Sequence, residues 1–144
     1  MEELTKRPEK LPGATYKLRW TGIDGDTSYY VTINHIDDEK GIRPFEIFII
    51  SQDVTHAPWM AALTRMISAI FRRGGDIRFV AEELQEIYDV VGPQVVGNTQ
   101  ERSLLSLIGK VIARHLDDIN YEQAVEDILI LQPSYNLDKE EGPS

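Results

Sequence analysis

Residues 28–50, SYYVTINHIDDEKGIRPFEIFII, decide the fold class. In the first part Tyr29, Val31 and Ile33 alternate with Tyr30, Thr32 and Asn34, the period of two that marks a half-buried strand over residues 28–36. The run Asp37-Asp38-Glu39-Lys40-Gly41 reads as a polar turn, and residues 44–50 then supply a further strand. That strand is apolar on both faces, which predicts a central position in a sheet or a subunit contact. A connection this short joins neighbouring strands antiparallel.

Toward the N-terminus, Tyr16, Leu18 and Trp20 alternate with Lys17 and Arg19, and the turn-rich residues 21–26 separate this first strand from the second. Toward the C-terminus the period changes. Trp59, Leu63, Met66, Ile67 and Ile70 fall at helical spacing, with Pro58 in the first turn and Gly74-Gly75 at the far end, so a helix is expected over 57–73. Asp76 is expected to cap a second helix, whose stripe Ile77, Val80, Leu84 and Ile87 should run to Asp89 or Val90. Residues 92–100 read as a loop, and Leu104, Leu107, Ile108, Val111 and Ile112 predict a third helix to about Leu116. A fourth, capped by Asn120 and carrying Tyr121, Val125, Ile128 and Leu129, should reach Leu131 before Pro133.

The expected fold is therefore α+β, a small antiparallel sheet of three or more strands packed against two to four helices. Residues 1–13 read as a flexible arm, 14–131 as one domain (strands within 14–50, helices within 57–131), and 132–144 as a disordered tail. At 144 residues and 42% hydrophobic, the chain can bury one proper core.

Charge and composition then narrow the function. A net charge of −9 opposes a phosphate backbone, which argues against binding a nucleic-acid polymer. With no cysteine, disulfides, thiolate metal sites and thiol nucleophiles are excluded. His35, His56 and His115 lie at no metal-binding spacing; His56 reads as part of a strand-to-helix loop, and His115 as a cation at a helix C-terminus. No cofactor is expected, since glycine-rich phosphate loops and nucleophile elbows are missing. The charged first ten residues and the lack of any apolar run of roughly 18 residues point away from membranes and toward the cytoplasm.

Two local features remain. Arg65 and Arg72 lie seven residues apart on one helical face, and Arg73-Gly74-Gly75 continues the charge into a turn. Arginines grip phosphate or carboxylate bidentately and glycines expose backbone N–H groups, so these five residues form a candidate site for a nucleotide phosphate or another small anion. The competing reading is structural: Arg72 and Arg73 complement the helix dipole and pair with Glu82, Glu83 or Glu86. Trp20, Tyr30 and Phe48 could offer flat faces to a base, or serve as core and interface residues.

The segments RPEKLPGATYKLRW (7–20), YYVTIN (29–34), PFEIFI (44–49), ALTRMISAIFRRGGDIRFVAEEL (62–84) and SLLSLIGKVIARHL (103–116) together resemble the TSCPD domain, an accessory C-terminal region of cobalamin-dependent ribonucleotide reductases. The resemblance implies a setting in nucleotide metabolism and a region outside the catalytic barrel, found fused or as a short separate protein, phage genomes included. The Thr-Ser-Cys-Pro-Asp stretch that names the family has no counterpart in a chain without cysteine, so a thiol role does not carry over. The expectation is a non-catalytic accessory domain that binds a nucleotide or a reductase-like protein partner. Two alternatives stand beside it: a phage-type protein sequestering a nucleotide, cyclic or not, between subunits of a homo-oligomer, and a purely structural oligomerisation module.

Overall fold

The computed structural model describes residues 6–22, 25–39, 41–90, 92–121 and 125–126. Three strands, β1 (Gly13–Gly22), β2 (Gly25–Asp38) and β3 (Gly41–Ser51), form an antiparallel sheet in the order β1-β2-β3. They are followed by α1 (Ala57–Arg73), α2 (Arg78–Gln85), a hairpin of β4 (Gln94–Val96) and β5 (Thr99–Glu101), and α3 (Leu104–Asp118). The architecture is the expected α+β one.

Alternation sorts the sheet into two faces. Leu18, Trp20, Tyr29, Val31, Ile33 and Ile47 are buried and pack with Ile67 and Phe71 of α1 and Ile108 and Ile112 of α3. Burial of these apolar side chains is the main force holding sheet to helices. Residues between them, Thr15, Lys17, Arg19, Tyr30, Phe48 and Ile50, form the outer face.

Several expectations need correction. β3 is an edge strand rather than a central one; Phe45 and Ile47 are buried where α1 packs on it, while its outer-face Phe48 and Ile50 stay exposed. There the Ser68 hydroxyl accepts from the Ile47 N–H at 3.0 Å and donates to the Ile47 carbonyl at 3.3 Å, completing backbone groups that a further strand would otherwise take. A bulge between Asn34 and His35 puts Glu46 opposite Asn34 and Pro44 opposite His35, an irregularity that tolerates a residue without an N–H.

Within residues 92–100, expected as loop, begins a β4–β5 hairpin that spans 94–101. α2 starts two residues after Asp76, which is not its N-cap but accepts from Arg78 through both backbone N–H and guanidinium. It also ends early, at Gln85, because the following carbonyls are taken elsewhere: Arg102 donates to Gln85 O at 3.1 Å and Ser103 to Ile87 O at 2.6 Å. Ser103 meanwhile caps α3, accepting from Ser106 N–H at 2.9 Å. At Gly109 the two helices touch so closely that a Cβ would stand 2.8 Å from Ala81 O.

The arm is tied down from Arg7 onward, through that residue's bonds to Glu46 and through Pro12 O, which accepts from His35 N–H at 2.9 Å. Of the expected fourth helix only Tyr121, Val125 and Glu126 are described, and they are helical; the rest of it, and the tail 132–144, lie outside the described residues. Among those residues no helix is long and apolar enough to cross a membrane.

Candidate functional site

α1 organises two chemically different regions, one at each end. Its C-terminal end carries the arginines singled out in the sequence. Arg72 faces inward: its guanidinium stacks 5.2 Å from the Phe45 ring centroid and lies 3.8 Å from Glu46, while Nε is buried without a hydrogen-bond partner. Glu46 is fully buried on β3, held by a bidentate fork from Arg7 (2.9 and 3.0 Å) and by Asn34 Nδ2 at 2.6 Å. Burial pushes its carboxyl up, but the bonds from Arg7 and Asn34 and the charges of Arg7 and Arg72 outweigh this and hold it below the usual carboxylate range.

The partner of Arg72 is therefore Glu46, not an acid of α2; Glu86 instead lies 3.5 Å from Arg102. Arg65 and Arg73 are exposed on α1, and Gly74 and Gly75 follow with φ of +83° and +78°, a left-handed turn that glycine adopts without strain. Tyr121 donates to Gly75 O at 2.8 Å, so part of that turn is already engaged.

The N-terminal end of α1 is open. Between the β1–β2 hairpin, the segment 53–56, α1 and the start of α3 lies a cleft of about 610 Å³. Trp20 and Tyr29 form its buried floor, Met60, Leu63, Leu104 and Leu105 its apolar walls, and Trp59, 77% exposed, stands at its rim. Its polar groups are few: Thr27, Asp53, His56 and Asp89. Asp53 is itself tethered, accepting from Tyr29 OH at 3.4 Å and from Thr55 N–H at 3.0 Å, with His56 Nε2 at 3.9 Å. Burial, with the Asp53 charge beside it, raises the Tyr29 phenol. Size and lining match what small-molecule sites commonly show: concave, aromatic and apolar, with a handful of polar groups to orient a guest.

The three aromatic candidates do not converge. Trp20 belongs to the inner face and the cleft; Tyr30 belongs to the outer face, where with Ile50, Ser51 and Asp53 it borders a second hollow of about 670 Å³. Phe48 is exposed on the outer face and lines neither. Nor do the arginines line the cleft: Trp59 and Arg72 are thirteen residues apart on one helix, roughly 20 Å at 1.5 Å per residue, and Arg65, though only six residues from Trp59, is exposed and outside the lining.

One polar cluster escaped the sequence reading. Tyr16 OH and His115 Nδ1 lie 2.8 Å apart, and His115 Nε2 and His35 Nδ1 3.2 Å apart, a chain of three side chains from β1, α3 and β2. His115 is buried, and burial together with the neighbouring His35 lowers it to about 4. It is thus a neutral core residue and not the helix-terminal cation its position suggested. The chain can run in either direction, from phenol O–H to His35 or from His35 N–H to the phenol oxygen, since either pair of neutral tautomers makes both hydrogen bonds. Among the described residues no group of His, Asp and Glu could hold a metal ion.

Fold and site together define a small α+β domain with an aromatic cleft at one end of its first helix and a neutralised ion cluster at the other. The TSCPD domain family matches residues 4–116, most of the 144-residue chain, and the protein belongs to that family. Neither the curated proteins nor the solved structures contain a match.

Proposed function

We propose that this chain is a non-catalytic accessory domain of nucleotide metabolism that holds a base-bearing small molecule, base first, in the cleft between Trp20 and Trp59. The observation that carries the reading is the cleft itself, whose aromatic floor and exposed Trp59 offer a stacking surface to any flat heterocycle. Thr27, Asp53, His56 and Asp89 supply donors and acceptors for a base edge. Their acidic balance disfavours a phosphate at the same spot. Family membership supports the setting, through the association with ribonucleotide reductases that the sequence resemblance brings, and a reductase-like protein partner belongs to the same reading.

The separation of cleft and arginines favours a second reading, sequestration of a nucleotide between subunits. The exposed Arg65 and Arg73, with Arg72, Gly74 and Gly75, would then receive the phosphate of a nucleotide whose base lies in the cleft of another copy.

Thermal unfolding in the presence of ribo-, deoxyribo- and cyclic nucleotides tests both readings, because a ligand that binds only the folded chain raises its midpoint. A rise abolished by Trp59→Ala and kept by Arg65→Glu/Arg73→Glu supports the single-chain site. Loss of the rise in both variants supports the shared one. No rise with any nucleotide overturns both.

A further inference from the structure

The sheet has two edges, and they are finished differently. Along β3, Ser68 of α1 occupies the outward backbone groups of Ile47. On β1, which no helix among the described residues lies along as α1 lies along β3, the Gln94 side chain does the same for Thr21: its Oε1 accepts from Thr21 N–H at 3.2 Å and its Nε2 donates to Thr21 O. The bonds of Thr21 to Gln94 also reveal which β1 residues face outward. The β1–β2 register runs without a shift from Gly13 to Gly22, so Thr15, Lys17 and Arg19 share the parity of Thr21 and direct their N–H and C=O groups away from β2. All three are exposed, and no backbone group among the described residues pairs with them.

We infer that the open edge of β1 is a docking site for an extended, acidic segment of a partner protein, which pairs antiparallel or parallel with Thr15–Arg19 and adds a fourth strand to the sheet. Charge selects the occupant. In a chain of net charge −9, Lys17 and Arg19 stand side by side on the outer face of this edge, and neither has a carboxylate partner among the described residues. A second copy is the wrong guest: antiparallel self-pairing centred on Lys17 sets that lysine opposite its own counterpart, and like charges directly opposite destabilise a strand pair. A segment with Glu or Asp at alternate positions instead places its carboxylates beside Lys17 and Arg19. Its intervening apolar residues would extend the inner row Tyr16, Leu18 and Trp20. This surface lies on β1 and is independent of the cleft reading.

The test uses the whole chain and two synthetic peptides of about six residues, the usual strand length, one alternating Val with Glu and the other Val with Lys. Titration followed by amide hydrogen exchange should show saturable binding of the Glu peptide, about ten-fold or more tighter than the Lys peptide, with new protection at the Thr15, Lys17 and Arg19 amides. Lys17→Glu/Arg19→Glu should invert the preference. Lys17→Pro removes an N–H that no internal bond uses, so the β1–β2 amides should stay protected while peptide binding weakens by about ten-fold or more. Equal binding of both peptides, no binding up to about 1 mM, or insensitivity to Lys17→Pro would each overturn the assignment. So would protection of the three edge amides without peptide, which would mean that a second copy or another part of this chain already occupies the edge.

Discussion

At the C-terminal end of α1, Arg72 turns inward onto Glu46 and Phe45 and its charge is balanced inside the fold; at the N-terminal end, Trp59 stands exposed at the rim of the aromatic cleft. The first end is rich in charge, with Arg72 drawn onto a buried carboxylate; the second is poor in charge and presents aromatic and apolar surface. A cluster of arginines is costly to leave near a buried carboxylate unless the two pair, so its presence here is explained by stability as fully as by a ligand. An exposed tryptophan beside an aromatic hollow has no such internal account. The difference predicts that variants at the closed end change stability and variants at the open end change binding.

Glu46→Ala should have the largest effect on stability. It removes a fully buried carboxylate that receives Arg7 and Asn34 and leaves Arg72 beside an empty site; because both guanidiniums retain some access to water, the loss is about 3 kcal/mol, the low end for breaking a buried pair. Chemical denaturation measures it. A change under about 0.5 kcal/mol, the scale of an ordinary surface substitution, would show that the cluster is not what closes this end. The acid side gives a second check. The Glu46 carboxyl is held below its ordinary value, so its contribution is complete above that value and is lost as pH falls through the lower, folded one. Glu46→Gln should flatten that acid limb.

Next in size is the response of the Tyr16–His115–His35 chain to pH. His115 is lowered from 6.5 to about 4 by burial and by His35, with Asp118 pulling weakly the other way, and His35 is lowered by burial against the pull of Asp37. The unfolded chain takes up a proton near 6.5 while the folded chain does not. Stability is therefore complete above about 6.5 and falls as pH drops toward 4, by on the order of 2–3 kcal/mol from His115. Urea unfolding between pH 7 and 4 should show the decline, and His115→Phe should reduce its slope. An unchanged slope would place the acid sensitivity elsewhere.

Arg72→Ala should follow at about 1 kcal/mol, the scale of a partly exposed cation stacked on an aromatic ring. Paired with Glu46→Ala in a double-mutant cycle it should be non-additive, since the two share one cluster. Additive losses would separate Arg72 from the closed end and return it to the pool of ligand-binding candidates.

Local patterning made most of the fold legible. The alternation at Tyr29-Val31-Ile33 and the capping signals around 57–73 arise from short-range preferences, and α1 matches residue for residue. What the sequence hid came from tertiary contacts. β3 looks central because its exposed outer face also carries apolar residues, Phe48 and Ile50, α2 stops short where Arg102 and Ser103 reach back to the carbonyls of Gln85 and Ile87, and β4–β5 is too brief to carry a period. The site was less legible still. Arg65, Arg72 and Arg73 were conspicuous as neighbours in sequence, whereas the cleft is assembled from Trp20, Tyr29, Trp59 and Leu104, which no spacing rule connects. The depressed histidine was hidden for the same reason, its partners lying 80 and 99 positions away.

Trp59→Ala should have the smallest effect on the free chain and the sharpest effect on the comparison. With 77% of its surface in water, the indole contributes little to the core, so unfolding in buffer should move by no more than about 0.5 kcal/mol. The same substitution strips the rim of the cleft of its largest flat surface, and a stacked base is worth about 1–3 kcal/mol on removal of its aromatic partner. A nucleotide that stabilises the native chain should thus lose roughly ten-fold or more in affinity against the variant. If Trp59→Ala instead destabilises the free chain as strongly as Glu46→Ala, then Trp59 is buried in solution by another surface. The open end of α1 would then be an assembly contact and as closed as the other.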